Sequence, residues 1–259
     1  MAEVCSNVVA APFRWPARRA LLTAEWRNLA MLNYEIDPAI LKPLVPPGTE
    51  LDDWNGATYA SIVGFQFLRT KFCGLAVPWH VNFVEVNLRF YLRRRAAEGW
   101  RRGVAFIREL APRRAIALVA NTLYGEQYLA VPMTHRIDAG EGDVPRRLEY
   151  GWRYLGGVGR VAIEPTGVAQ ALAADSHEQY IAEHYWGYSN HARNGKEYEV
   201  AHPSWRTSPA RSALFECDHV AAIYGERFVD ALSGTPTSAF WADGSAVRVY
   251  AGERIERGS

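Results

Sequence analysis

The eleven residues Asn82–Leu92, NFVEVNLRFYL, alternate apolar and polar side chains. Val86, Leu88 and Phe90 fall on one face, and Glu85, Asn87, Arg89 and Tyr91 on the other. A period of two belongs to a β-strand with two differently occupied faces, and no helix tolerates it. The next strand, Gly103–Leu110, pairs back across the basic linker RRRAAEGWRR. Ahead of them, the aromatic and β-branched run Ala57–Lys71 follows Asn55-Gly56, a strong tight-turn signal. Further strands are expected at Gln127–His135, Arg147–Leu155, Gly159–Glu164, Lys196–Val200, Arg211–Cys217 and Ala246–Tyr250. Turn clusters such as DAGEGD and ARNGKE separate several of them.

Helices are few. Asp37-Pro38 opens a short one, with Asp as N-cap and Pro at the first helical position. Ser176 and Gln179 form a capping box ahead of HEQYIAEHYW. Asp218 is placed to cap a helix from His219. Ile116, Val119, Ala120 and Leu123 lie at i, i+3, i+4 and i+7, so Ala111–Tyr124 is expected to be helical, with Gly125 as its stop. The fold class is therefore mainly β (α+β), antiparallel, with a few packed helices. With 259 residues and 49% hydrophobic composition, a substantial core is available. One domain, 1–259, is expected.

A net charge of +1 gives no overall field to draw nucleic acid or an anionic membrane. The basic linker at Arg93–Arg102 reads as a solvated hairpin tip. Three cysteines far apart, Cys5, Cys73 and Cys217, fit a reducing compartment. The N-terminal stretch has no signal-peptide pattern, and the apolar run Ala115–Ala120 is far too short to span a bilayer. A cytoplasmic protein is expected.

No phosphate loop or G-x-S-x-G nucleophile elbow is present. Gly156-Gly157-Val158-Gly159 reads as a hairpin turn, because no helical pattern follows it. His177-Glu178 lacks a second histidine at the zinc-protease spacing, since position 181 is Ile, so no metal is expected. The aromatic stretch around His184, Tyr185 and Trp186 fits either a core or the wall of a ligand cavity, and His202-Pro203-Ser204-Trp205 could join that wall.

The stretch Arg108–Arg114, RELAPRR, runs into the helical pattern just described. By helix register Arg113 lies roughly 70° from the centre of the apolar face, while Arg114 points nearly opposite. Arg113 is thus expected at a cavity edge, where a guanidinium needs an anionic partner.

RELAPRR resembles the R-E-L-x-x-Pro-Lys-Lys segment of acetoacetate decarboxylase, whose first lysine forms a Schiff base with the keto acid. Trp26-Arg27, Asn33–Asp37 and Leu41–Pro46 are similar to that enzyme's early strand, short helix and turn. The resemblance puts Arg27 at the position of its substrate-carboxylate arginine. The chain is still more similar to YqjF-like bacterial proteins, a decarboxylase-like family of unknown function. The shared phrases are TAEWRNLAMLNY, FxEVNLRFY, PRRAIALVA, EHYWGY and DGSAVRVY, covering about Leu21 to Tyr250. The resemblance implies a decarboxylase-like antiparallel β-barrel or cone enclosing a cavity, a core of about 21–250, and homo-oligomerisation.

Both lysines of the motif are arginines here, and guanidinium stays protonated, so it cannot form an imine. The lysines of the chain are Lys42, Lys71 and Lys196. The expected site combines Glu85 and Arg113 as catalytic groups with Arg27, Arg114, His184, Tyr185 and Trp186 as binding residues. Its ligand is a small carboxylate or oxo compound, and no cofactor is called for. Three readings stay open: a non-covalent lyase, cyclase, hydratase or tautomerase, a non-catalytic metabolite-binding or sensing protein, and an interaction module in which the aromatic segment meets a partner.

Overall fold

Strand pairing organises nearly everything in the computed structural model, which describes residues 13–76, 80–112, 127–140, 142–191 and 194–255. The strands of the first half are β1 (Leu22–Glu35), β2 (Glu50–Leu51), β3 (Tyr59–Phe72), β4 (Leu75–Ala76), β5 (Phe83–Ala96), β6 (Gly99–Ala111), β7 (Tyr128–Ala130) and β8 (Met133–Asp138). The second half contributes β9 (Arg147–Tyr154), β10 (Gly157–Pro165), β11 (Gln170–Ala171), β12 (Trp186–His191), β13 (Asn194–Ala201), β14 (Arg206–Cys217), β15 (Ser238–Val249) and β16 (Glu253–Arg254). Short α-helices occupy α1 (Pro38–Leu41), α2 (His177–Ala182) and α3 (Val220–Tyr224).

The order β12-β6-β5-β3-β1-β15 closes on itself, because β13 pairs with both β12 and β15. Closure removes the open edges that an extended sheet would present. Pairing is antiparallel except where β6 meets β12 and β7. From β15 the sheet continues through β14, β10 and β9 to β8, forming a second layer against the outside of the ring. The architecture is mainly β and largely antiparallel, as expected from the sequence.

The alternation in β5 separates two cores. Val84, Val86, Leu88 and Phe90 face outward and pack with Tyr150, Trp152, Val161 and Ile163 of the second layer. Tyr91 faces inward, with Met31, Val63, Phe65, Phe240 and Trp205. Each fully buried side chain of this kind contributes about 1.5–3 kcal/mol. The layers meet closely at Gly64, where an added Cβ would lie 2.6 Å from the Tyr150 ring and 2.9 Å from Val161.

Local signals worked where backbone chemistry decides. Asn55 and Gly56 take φ of 53° and 84° and join Trp54 to Ala57 in a tight turn. Asp37 Oδ1 accepts from Ala39 N at 2.8 Å, and Ser176 Oγ accepts from Gln179 N at 3.1 Å, so both caps form. Others require correction. Asp218 does not cap α3; its Oδ2 accepts from Val158 N at 2.8 Å, leaving His219 at the N-cap without a side-chain bond. The helix after Ser176 ends at Ala182, and Trp186 already belongs to β12. The expected strand Gln127–His135 is broken at Val131-Pro132 into β7 and β8, since proline lacks the ladder donor. Ala111 closes β6 rather than opening a helix, and residues 113–124 of the expected helix lie outside the described residues.

Candidate functional site

The inward face of β5 carries a polar stripe through the inner core. Glu85 is buried, at 2% exposure, opposite Phe65 of β3. Its Oε1 accepts from Asn87 Nδ2 at 3.0 Å, two residues along the same face. Its Oε2 accepts from the Tyr128 hydroxyl at 2.7 Å. Tyr128 is delivered by β7, which pairs in parallel with β6 so that Tyr128 lies opposite Glu109, itself opposite Asn87. Burial pushes the Glu85 carboxyl up to about 7, although the bonds from Asn87 and Tyr128 act to lower it. A carboxyl poised near neutrality holds or releases a proton at small cost, as general acid–base chemistry requires.

Further along the stripe, buried Arg89 donates from Nη2 to the Ile181 carbonyl of α2 at 3.2 Å. His184 packs against Tyr91 and Tyr180 at ring separations of 4.7 and 5.5 Å. Its Nε2 lies 3.6 Å from Asp52 Oδ2, which also accepts from Arg102 Nε at 2.6 Å. His202 stacks on Trp205 at 4.3 Å and contacts Tyr185 at 4.8 Å and Trp26 at 6.3 Å. Burial drives both imidazoles down to about 4, so both are neutral at physiological pH. Strand β5, the start of β1 and the segments flanking β12 and β13 thus converge inside the ring.

Of the residues expected at the site, Glu85, His184 and Tyr185 are on this inner side. Arg27 is not brought to them. Trp26 shares the face of Phe65 and Glu85, so Arg27 projects from the opposite face. There it donates to Glu25 Oε2 at 3.1 Å and to the Gly244 carbonyl at 3.1 Å. Trp186 also faces away, packed against the outer core with the Arg101 guanidinium 4.1 Å from its ring centre. Arg113 and Arg114 lie outside the described residues. Lys42 and Lys71 are exposed and Lys196 is half-buried in β13.

Asn87 and Arg89 share the alternating stripe with Glu85 in the sequence, a signal sufficient to include them. Tyr128 had no such signal, because parallel pairing between β6 and β7 leaves no local pattern. Among the described residues, no three His, Cys, Asp or Glu side chains converge as a metal-binding group. No described helix is long and apolar enough to cross a membrane. A separate cavity of about 320 Å³ opens on the outer face, lined by Phe90, Ile107, Tyr188, Tyr224 and Phe228. It lies between the strands β5, β6 and β12 and the segment around α3, and none of the Glu85 stripe lines it.

Comparison with known proteins agrees with this architecture. The uncharacterized protein YqjF of Bacillus subtilis (strain 168) is 24% identical over 197 residues, covering 75% of this chain and 78% of YqjF. Acetoacetate decarboxylase from Legionella pneumophila superposes with a TM-score of 0.67 at 11% identity, covering 99% of this chain and 96% of the enzyme. The enduracididine biosynthesis enzyme MppR complexed with pyruvate superposes with a TM-score of 0.65 at 14% identity, covering 97% and 95% of the two chains. At such identities the likeness is one of fold. Residues 23–246 match the family DUF2071, described as "Uncharacterized conserved protein (COG2071)", and the chain belongs to that family.

Proposed function

We propose that the ring interior is a binding site for a small carboxylate or oxo compound, and that Glu85 transfers a proton beside the ligand's carbonyl without an imine. The observation that carries this reading is the buried Glu85 carboxyl, raised to about 7 and held from two sides by Asn87 and Tyr128. Abstraction of a proton from the carbon next to a carbonyl produces an enolate. Return of the proton to oxygen or to another carbon completes a tautomerisation. Where the enolate expels a β-substituent that takes up the proton, the outcome is lyase or hydratase chemistry. Where it attacks a second carbonyl of the ligand, the outcome is cyclisation. Two sequence facts support a non-covalent route: arginine at both positions of the lysine pair, and no lysine near the motif. Arg113 is assigned to the ligand's oxygens through its place in RELAPRR, and Arg114 to a lesser binding role. The fold neighbours include an enzyme solved with pyruvate, in keeping with an oxo-acid ligand.

The test is a turnover panel of keto acids and short oxo compounds, followed by borohydride quenching and intact-mass measurement. Consumption of an oxo acid with no mass increase is the expected result. A stable adduct on Lys42, Lys71 or Lys196 would replace this mechanism with imine chemistry. Tight binding across the panel without any turnover would make the chain a metabolite-binding or sensing protein.

A further inference from the structure

Arg89 is the one buried arginine of the β5–β6 hairpin strands, and no carboxylate among the described residues pairs with it. Around it the pattern is different. Arg93 pairs with Glu50, Arg102 with Asp52, and Arg94 and Arg101 with Glu197. Arg108 lies half-buried and donates to the carbonyls of Ile223 and Gln127; it faces the outer layer, not the ring interior. Arg89 is 8% exposed, and its guanidinium donates to the Ile181 carbonyl. Its Nε is buried with no acceptor among the described residues. A guanidinium stays charged at any physiological pH, and a buried cation without an anion costs several kcal/mol.

The buried carboxylate on the same face, Glu109 opposite Asn87, does not come within ion-pair distance of the Arg89 guanidinium. His184 and His202 both feel the Arg89 charge, which helps to keep their imidazoles neutral. The Tyr91 ring offers its face 5.6 Å from the guanidinium, but the Tyr91 hydroxyl is committed to Ser61. Between Arg89 and Glu85, the Asn87 carbonyl oxygen is also buried without a donor among the described residues. Thus a cation and a hydrogen-bond acceptor are left over on one strand face, in line with the acid–base group. Buried polar groups without a described partner call for an explanation, and a ligand in the ring interior would supply one.

We propose that Arg89 is the anion anchor of the ring interior, and that the ligand is an elongated carboxylate whose oxo end lies at Glu85. Two residues four apart on an extended strand stand about 13 Å apart at Cα. The Arg89 guanidinium leans over Tyr91, the neighbour on the side away from Glu85. A carboxylate held there cannot belong to a carbon adjacent to a carbonyl at Glu85, so the two groups must be separated by several methylenes. The proposal rests on the small-molecule reading of the interior given above, and it moves the anion contact from Arg27 to Arg89.

The experiment measures binding by calorimetry for 3-oxobutanoate, 4-oxopentanoate and 6-oxoheptanoate, with neutral 2-heptanone as the uncharged control. In parallel, protein labelled with ¹⁵N-arginine reports the Arg89 Nε–H resonance, assigned by its loss in Arg89→Gln. The expected result is tightest binding by 6-oxoheptanoate, at least tenfold weakening in Arg89→Gln, and a shift of the Arg89 resonance with the acid but not the ketone. Arg89→Gln keeps a donor for Ile181, and its unliganded melting curve checks that the fold persists. The proposal is overturned if no acid binds, if acid and ketone bind alike, or if the acid leaves the Arg89 resonance unmoved. Normal turnover by Glu85→Gln would instead remove the acid–base reading while leaving the Arg89 anchor intact.

Discussion

Tyr128 reaches Glu85 across two strand pairings of opposite sense: β5 runs antiparallel to β6, and β6 runs parallel to β7. The hydroxyl donates to Glu85 Oε2 at 2.7 Å, with no local sequence link between the two residues. Because this bond favours the carboxylate, it opposes the burial that raises the Glu85 pKa. Tyr128→Phe should therefore move the Glu85 titration to higher pH. Carboxyl ¹³C shifts of Glu85, followed from pH 5 to 9, measure the change; a downward move would mean that the bond serves the neutral acid.

Glu85 also links stability to pH. Its folded pKa of about 7 exceeds the ordinary value of 4.5, so the folded state binds the proton more tightly than the unfolded chain. Stability from this group is complete below pH 4.5 and declines as pH rises through 7, by about 3 kcal/mol at most. Glu85→Gln removes the titration. Urea unfolding at pH 5 and pH 8 should show the variant gaining on the wild type at the higher pH, and an unchanged difference would place a different ionisation state in the core.

The histidines act in the opposite direction. His184 and His202 are both lowered to about 4 by burial, so the unfolded chain is the better proton acceptor below 6.5. Their contribution is present above 6.5 and is lost as pH falls from there through 4. His202→Phe, which keeps a ring against Trp205, should flatten the melting-temperature profile between pH 6.5 and 4. A profile as steep as the wild type's would assign the acid limb elsewhere, such as to Asp52.

Gly64 is a packing test independent of the site. A Cβ there would meet the Tyr150 ring at 2.6 Å and Val161 at 2.9 Å, and the Tyr150 hydroxyl is itself tied to the Asn28 carbonyl at 2.6 Å. With the ring unable to retreat, Gly64→Ala should destabilise by about 1–3 kcal/mol in chemical unfolding. A neutral substitution would show that the two layers slide more freely than their contacts suggest.

The strand content was legible because alternation in Asn82–Leu92 is a local property, and the same alternation already placed Glu85 with Asn87 and Arg89 on one face, which the structure turns inward. Turn and cap chemistry at Asn55-Gly56, Asp37 and Ser176 was legible for the same reason. What failed depended on contacts distant in sequence. Arg27 lies in the strand expected of it, but face parity through β3 turns it away from Glu85, where Glu25 holds it. Trp186 left its expected helix because β6 offers it a parallel pairing at Gly103. Tyr128 and the closure of the ring through β13 and β15 follow from three-dimensional pairings that no window of sequence contains.

The claim that Glu85 moves a proton beside a carbonyl is tested most directly by hydrogen–deuterium exchange. Pyruvate, 3-oxobutanoate and 6-oxoheptanoate would each be incubated in D₂O at neutral pD with wild type and with Glu85→Gln. Proton NMR then follows the signals of the carbons next to the carbonyl. The expected result is protein-dependent loss of those signals for at least one acid with the wild type, reduced a hundredfold or more by Glu85→Gln. Exchange at the same rate in both proteins, or none above the buffer rate for any acid, would contradict it.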